Sequence, residues 1–146
     1  MYRIGRRFEY QVIYRFKKYG IEAKRVPLSG RLNPLLPRCD IIVKINNKEL
    51  KGQLKYSRGN YVIFKKFEIE QLKNNEIDFL CFGFYKKEPK FIITCEKLEN
   101  YIEKKSENLI IRKEEERNIK FNEIFLKILT FEEFINFLKL NYGNKG

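Results

Sequence analysis

The chain of 146 residues is long enough for one domain with a single core, and its 13 Phe and 9 Tyr exclude a disordered chain. Its net charge is +12, and it has no histidine, which excludes His-based acid/base catalysis, Ser-His-Asp triads and His-ligated zinc. No apolar run approaches the ~18 residues of a membrane span, and nothing near Met1 resembles a signal peptide. The three cysteines are far apart, so we expect a cytoplasmic protein with reduced thiols.

The first predicted element is a helix over residues 4–19, in which apolar side chains recur at helical spacing up to Gly20. Glu9 flanks this apolar stripe rather than lying on the opposite, basic face of the helix. A short strand over residues 22–28 follows, and then a loop over residues 29–38 with two prolines, a glycine and several basic side chains. Long loops of this composition inside compact domains are often functional.

The next predicted element is a β-hairpin around Asn46-Asn47, a pair that tolerates positive φ and suits a two-residue turn. With these residues as the turn, Ile45 pairs with Lys48, and Asp40 lies opposite Gln53. This register separates an apolar face from a polar face, and a slip of one residue would mix them. The apolar face collects Ile41, Val43, Ile45, Leu50 and Leu54, and the polar face collects Asp40, Lys44, Glu49, Lys51, Gln53 and Lys55.

The later elements are predicted as a helix over residues 67–75, strands over 77–85 and 91–94, a helix over 95–105, and weaker strands over 109–111 and 118–121. A final helix begins after Thr130, because Thr130 and Glu133 form a capping box. This order indicates an α/β domain with a mixed sheet and a C-terminal ββα addition. We expect one domain over residues 1–141, with its core over 1–95 and the addition over 96–141, and a frayed tail over 142–146.

The positive charge is concentrated in the first half of the chain. Residues 1–73 hold 18 Lys/Arg and 6 Asp/Glu, whereas residues 74–146 hold 13 of each kind. A codon bias toward lysine would add lysines to both halves equally, so it does not explain this difference. A basic surface with interleaved Tyr and Phe is typical of proteins that bind a polyanion, most often nucleic acid.

The polar face of the predicted hairpin places Asp40, Gln53 and Lys55 together, since directly opposite strand residues have Cβ atoms ~4.5–5.5 Å apart. A carboxylate and an amide oxygen at this spacing can share one Mg²⁺, which prefers oxygen ligands and keeps several waters. Such a cation would activate a water and neutralise charge on a phosphate, with the lysine beside it. Glu49 lies ~13 Å further along the strand and opposite Lys44, so it is not a ligand of the same metal.

These residues resemble the core of the PD-(D/E)XK nuclease superfamily: Pro37 precedes Asp40, and Gln53-Leu54-Lys55 follows with Gln at the position of the second acid. The opening Met-Tyr-Arg-Ile-Gly-Arg-Arg-Phe-Glu and the Arg-Val-Pro-Leu-Ser-Gly before the aspartate resemble archaeal-type Holliday junction resolvases, over about residues 1–95. The resemblance implies a restriction-endonuclease-like mixed sheet flanked by helices. It also implies a Mg²⁺-dependent DNA endonuclease, in which Mn²⁺ can substitute, acting as a homodimer or larger homo-oligomer.

The resemblance also assigns roles to single residues. Glu9 matches the family's first-helix acid, Asp40 its central metal ligand, Lys55 its catalytic lysine and Ser29 the serine of its mobile active-site loop. Gln53 stands where resolvases have an acid, a variant found in some restriction and intron-encoded homing endonucleases, and it would be a third metal ligand with Asp40 and Glu9. DNA contacts are expected from the basic residues Arg6, Arg25, Arg31, Arg38, Lys51 and Arg58.

Simpler interpretations stay open for these residues. Glu9 suits an ion pair on a helix face, Gln53 and Lys55 suit a solvated sheet face, and Ser29 suits a turn before Gly30. Three functions therefore remain: a junction-resolving endonuclease, a site-specific duplex endonuclease of intron-homing or restriction type, and a catalytically silent DNA-binding module in which Gln53 marks a decayed site.

Overall fold

The structure, a computed structural model, describes residues 2–26, 39–94, 108–113 and 126–143. Its helices are α1 (Tyr2–Lys18), α2 (Lys66–Lys73) and α3 (Phe131–Tyr142). Its strands are β1 (Glu22–Arg25), β2 (Ile41–Ile45), β3 (Lys48–Ser57), β4 (Tyr61–Phe64), β5 (Phe79–Phe84), β6 (Lys90–Thr94), β7 (Leu109–Arg112) and β8 (Leu126–Thr130). None of the helices in these ranges is both long and apolar enough to span a membrane.

The main sheet is mixed and has six strands in the order β1-β2-β3-β5-β6-β8. Strands β3 and β5 run parallel, and every other neighbouring pair in this sheet is antiparallel. The parallel step follows from the crossover through β4 and α2, because parallel neighbours need such a long connection. Strands β4 and β7 form a small antiparallel sheet of their own. The predicted mixed α/β architecture is confirmed.

The hairpin that joins β2 to β3 has the register predicted from the sequence. Ile45 pairs with Lys48, and Ile41 pairs with Gly52. Both turn residues have positive φ, 47° at Asn46 and 68° at Asn47, as the two-residue hairpin turn requires. Because the register fixes which side chains share a face, it places the polar residues of this hairpin on the face opposite to α1.

Two hydrophobic layers cover the main sheet. On one face α1 and α3 pack against β3 and β6, and Phe16 of α1 contacts the rings of Phe91 and Phe134. On the other face α2 and the small sheet cover Leu80 and Phe82 of β5. The C-terminal helix thus packs in the same hydrophobic layer as α1.

The sequence analysis missed two strands. Strand β4 has only four residues, and β8 runs directly into the N-cap of α3 at Thr130, so neither shows a long alternating pattern. The capping box at Thr130 and Glu133 is confirmed by hydrogen bonds in both directions. Helix α3 extends to Tyr142, one residue into the predicted tail. The predicted helix over 95–105 and strand over 118–121 lie outside the described residues.

The cysteines that the structure describes are both buried. Burial raises the pKa of the Cys39 thiol to about 11 and raises that of Cys81 well above its ordinary value. Both thiols are therefore neutral and packed as small apolar groups, which is the usual state of structural cysteines. Cys95 lies outside the described residues.

Gly83 of β5 packs against Phe8 of α1. We therefore expect that position 83 tolerates no larger side chain. A Cβ at this position would lie 2.4 Å from the ring of Phe8. Gly83→Ala should therefore lower the free energy of unfolding by about 1–3 kcal/mol in chemical denaturation. Gly5→Ala is the control, because nothing lies within 4 Å of a Cβ there and alanine favours a helix. Equal stability of Gly83→Ala and the wild type would contradict this packing.

Candidate active site

Asp40 is fixed at the end of the β2–β3 hairpin by three hydrogen bonds. Its N–H donates to the carbonyl of Gly52, and its carbonyl accepts the N–H of Val26, both over 2.9 Å. Its carboxylate oxygen Oδ2 accepts the N–H of Leu54 over 2.8 Å. Strand β2 begins only at Ile41, so no residue of β2 lies beside Leu54. The Asp40 side chain accepts the Leu54 N–H in its place. A carboxylate has lone pairs on both oxygens, so it can accept this bond and still bind a cation.

Gln53 and Lys55 lie on β3 beside this carboxylate. The pairing of β2 with β3 ends at Ile41 and Gly52, and beyond it Asp40 bonds to Gly52 through its N–H and to Leu54 through its carboxylate, so it contacts the residues on either side of the half-buried Gln53. Lys55 is two residues further along and so lies on the same face of the strand. The predicted site of Asp40, Gln53 and Lys55 therefore stays a prediction, with Asp40 bonded to β3 beside Gln53.

Glu9 of α1 is close enough to Asp40 to feel its charge. Arg25 Nε donates a hydrogen bond to Glu9 Oε1 over 2.8 Å, and both side chains are about four-fifths buried. The pKa of Glu9 is raised above its ordinary value: burial is the largest cause, the hydrogen bond from Arg25 opposes it, and the negative charge of Asp40 adds to it. Glu9 and Asp40 are therefore two carboxylates close enough to repel each other.

The acidic groups at this site are few. Within residues 2–26, 39–94, 108–113 and 126–143 no three His, Cys, Asp or Glu side chains cluster in a way that could hold a metal. The oxygen donors predicted for a cation site here are two carboxylates, from Glu9 and Asp40, and the amide oxygen of Gln53. These are hard donors, which suit Mg²⁺ or Mn²⁺ rather than a soft metal.

Glu68 of α2 is a residue that the sequence analysis missed. Its carboxylate oxygen Oε2 lies 3.0 Å from Lys55 Nζ. The residue is only 3% exposed, and its other oxygen, Oε1, accepts the N–H of Lys65 over 2.9 Å. Lys65 is not a capping residue, and no local pattern in the sequence shows that α2 turns the Glu68 carboxylate toward β3.

A basic cleft of about 480 Å³ opens between α1 and the turn that joins β5 to β6. We define it by six of its lining residues: Arg7, Tyr14, Arg58, Tyr85, Lys86 and Lys87. The Arg58 guanidinium lies 5.2 Å from the centroid of the Tyr85 ring, and Lys86 Nζ lies 5.5 Å from the same centroid. Arg15 and Glu88, an ion pair, also line the cleft. Cations held beside exposed aromatic rings suit the phosphates and bases of a nucleic acid.

The predicted DNA contacts fall into three groups. Arg6, Lys51 and Arg58 are exposed, so their side chains can reach a ligand on the surface. Arg25 is instead turned inward to Glu9, which gives it a place within the site. Ser29, Arg31 and Arg38 lie outside the described residues.

The six-stranded mixed sheet flanked by helices is a restriction-endonuclease-like fold. Among solved structures, the chain is similar to the Holliday junction resolvase Hjc of the archaeal hyperthermophile Archaeoglobus fulgidus, with a TM-score of 0.54. The two chains are 20% identical, and the match covers 75% of this chain and 89% of that chain. At this identity the likeness establishes the fold. No protein-family model and no curated protein matches the chain.

Proposed function

We propose that this protein is a metal-dependent DNA endonuclease similar to Holliday junction resolvases. The observation that carries the proposal is the carboxylate of Asp40, which is held by the N–H of Leu54 beside Gln53. It lies at the end of a hairpin in a fold shared with a resolvase. With no histidine in the chain, hydrolysis of a phosphodiester by a metal and a lysine is the chemistry that this site supports best.

Asp40, Gln53 and Glu9 would hold the cation. Their donors are all oxygens; burial is the largest cause of the raised pKa of Glu9, and the negative charge of Asp40 adds to it, so a cation bound between them would stabilise both carboxylates. Bound there, Mg²⁺ or Mn²⁺ would supply a Lewis acid to a phosphate oxygen and lower the pKa of a coordinated water. Arg25 fixes Glu9 Oε1, and Asp40 is fixed by β3, so two of the donors are oriented before the cation arrives.

Lys55 would act on the reacting phosphate. Its side chain is 35% exposed and lies on the same face of β3 as Gln53, so a bound phosphate could reach it. A lysine there can orient the attacking water and stabilise the charge that develops on the phosphate oxygens. Ser29, from the loop before Asp40, remains a predicted member of the site. A homodimer would place two such sites on two strands of one DNA molecule.

The basic cleft and the exposed Arg6 and Lys51 would bind the DNA backbone. If ~6–10 phosphates are contacted, affinity should fall ~10³–10⁵-fold between ~50 and ~200 mM salt. Removing Arg7 and Arg58 together should lower the slope of log affinity against log salt by about 2, since each phosphate contact contributes about 1. Fluorescence anisotropy with labelled DNA measures both quantities.

The control for this prediction is Lys127→Ala with Lys139→Ala, which removes the same charge from exposed positions on β8 and α3. Neither lysine lines the cleft, so the slope should change little. A shallow salt dependence of the wild type, or equal slopes for both double variants, would show that the cleft does not face DNA.

A second candidate, a site-specific duplex endonuclease of the intron-homing or restriction type, is favoured by Gln53. This residue gives the site one carboxylate fewer than the acid-bearing motif that it resembles. Both candidates use the same cleavage chemistry and differ in the DNA that they recognise.

One substrate panel separates the candidates. The protein is incubated with Mg²⁺ and a four-way junction, a linear duplex with the sequence of one arm pair, or a pool of duplexes of random sequence. We expect paired, symmetric nicks in the junction and little cleavage of the duplex. Cleavage of one sequence from the pool would support the site-specific enzyme instead. If no DNA is cut, the protein is a DNA-binding module without activity and the proposed function is wrong.

A further inference from the structure

Two of the described helices have a glutamate in the first turn that accepts the N–H of the N-cap residue, and only one of the two glutamates is buried. Glu68 in α2 and Glu133 in α3 each accept the N–H of the N-cap residue, over 2.9 and 2.8 Å. Glu133 is exposed, whereas Glu68 is 3% exposed. Capping therefore does not require burial of the carboxylate. What distinguishes Glu68 is its second contact, 3.0 Å from Oε2 to Lys55 Nζ.

A buried carboxylate is costly unless its oxygens are hydrogen-bonded and its charge is paired. Glu68 meets both conditions through the backbone of Lys65 and the ammonium of Lys55. The lysine side chain is long and has many rotamers, and this contact restricts it to the few that reach α2. Gln53, on the same face of β3, carries no charge. The carboxylate that contacts Lys55 thus comes from α2 and not from β3.

We propose that Glu68 is a positioning residue that holds the Lys55 ammonium at the reacting phosphate. The inference rests on the proposed function, because it assigns Lys55 a role in cleavage. The negative charge that orients Lys55 then comes from Glu68 of α2, since Gln53 on β3 carries none. A lysine held in place before DNA binds loses no rotamer freedom in the transition state, and a misplacement of ~1 Å can cost ~10²-fold in rate.

Glu68→Gln tests the proposal with little change in shape. The amide oxygen of glutamine can still accept the Lys65 N–H, so the start of α2 is retained. Single-turnover cleavage at saturating DNA and Mg²⁺ should slow by ~10–100-fold, with no change in the Kd for DNA. Glu133→Gln is the matched control: it alters the same bond from an N-cap N–H to a glutamate and should cleave at the wild-type rate. A wild-type rate in Glu68→Gln would overturn the inference.

A double-variant cycle separates positioning from a general loss of structure. If Glu68 acts through Lys55, then Lys55→Ala combined with Glu68→Gln cleaves no more slowly than Lys55→Ala alone. If the double variant is instead slower than Lys55→Ala by the full factor measured for Glu68→Gln, then Glu68 acts on cleavage by another route and the inference is wrong.

Competitive acetylation of the folded protein, read for Lys55 by mass spectrometry, gives a measurement independent of cleavage. Lys55 should become several-fold more reactive in Glu68→Gln and stay unchanged in Glu133→Gln, since only the first variant frees its ammonium. Equal reactivity in the wild type and Glu68→Gln would overturn the pairing on which the inference depends. By contrast, a wild-type protein that cuts no DNA would overturn the proposed function itself, whatever the labelling shows.

Discussion

Asp40→Asn is expected to lower DNA cleavage by ~10³-fold or more, because it removes a charged metal ligand worth several kcal/mol of transition-state stabilisation. The asparagine oxygen can still accept the N–H of Leu54, so the end of the hairpin should keep its structure. DNA binding at low salt should stay intact or strengthen, since a negative charge leaves a phosphate-binding surface. Cleavage is followed by single-turnover kinetics and binding by anisotropy on the same DNA.

The chain contains a close control for this variant. Asp78 is its only other aspartate, and its Oδ2 also accepts a backbone N–H, that of Lys51, over 2.8 Å. Asp78→Asn therefore makes the same chemical change in the same kind of contact and should cleave at nearly the wild-type rate. Near-wild-type cleavage by Asp40→Asn would show that the end of the hairpin is not the active site.

Gln53→Glu is expected to lower the Mg²⁺ concentration needed for half-maximal cleavage. An amide oxygen can bind Mg²⁺ but adds no charge, so the wild-type site should need more Mg²⁺ than one with a further acid, and should respond better to Mn²⁺. The maximal rate of Gln53→Glu can still fall, because the new carboxylate would compete with Glu68 for the Lys55 ammonium. Gln53→Ala removes the oxygen and should lose most of the activity.

The measurement is a Mg²⁺ titration of the cleavage rate for the wild type and both Gln53 variants. The half-maximal concentration should be lowest for Gln53→Glu and highest for Gln53→Ala. Because the maximal rate and the half-maximal concentration are fitted separately, a disturbed Lys55 is distinguished from altered metal binding. Identical half-maximal concentrations in all three proteins would remove Gln53 from the metal site.

The hairpin could be predicted from the sequence because its determinants are local. Two adjacent asparagines fix the turn, and the alternation of apolar and polar residues admits one register, in which Ile41 pairs with Gly52 next to Asp40. The capping box of α3 was found for the same reason, since Thr130 and Glu133 are three residues apart. Each of these features depends on neighbours in sequence or on a two-residue turn.

What the sequence did not reveal depends on tertiary packing. The contact of Glu68 with Lys55 needs the rotation of α2 over the sheet, which is set by buried side chains such as Ile69 and Leu72. The inward turn of Arg25 needs the placement of α1 beside β1. The basic cleft joins residues of α1 to a turn more than 70 positions later, as the pairing of Arg15 with Glu88 shows. A periodic pattern in the sequence does not indicate which distant residues lie together in the fold.

The central claim is that Asp40 and Gln53 form one cation site at the end of the hairpin, and paramagnetic broadening by Mn²⁺ tests it most directly. In a nuclear magnetic resonance titration, the backbone amides of Asp40, Gln53 and Leu54 should broaden first. Those of Val62 and Ile111, paired in the small sheet, should persist, and Asp40→Asn should abolish the effect. Broadening centred elsewhere, or unchanged in Asp40→Asn, would contradict the claim.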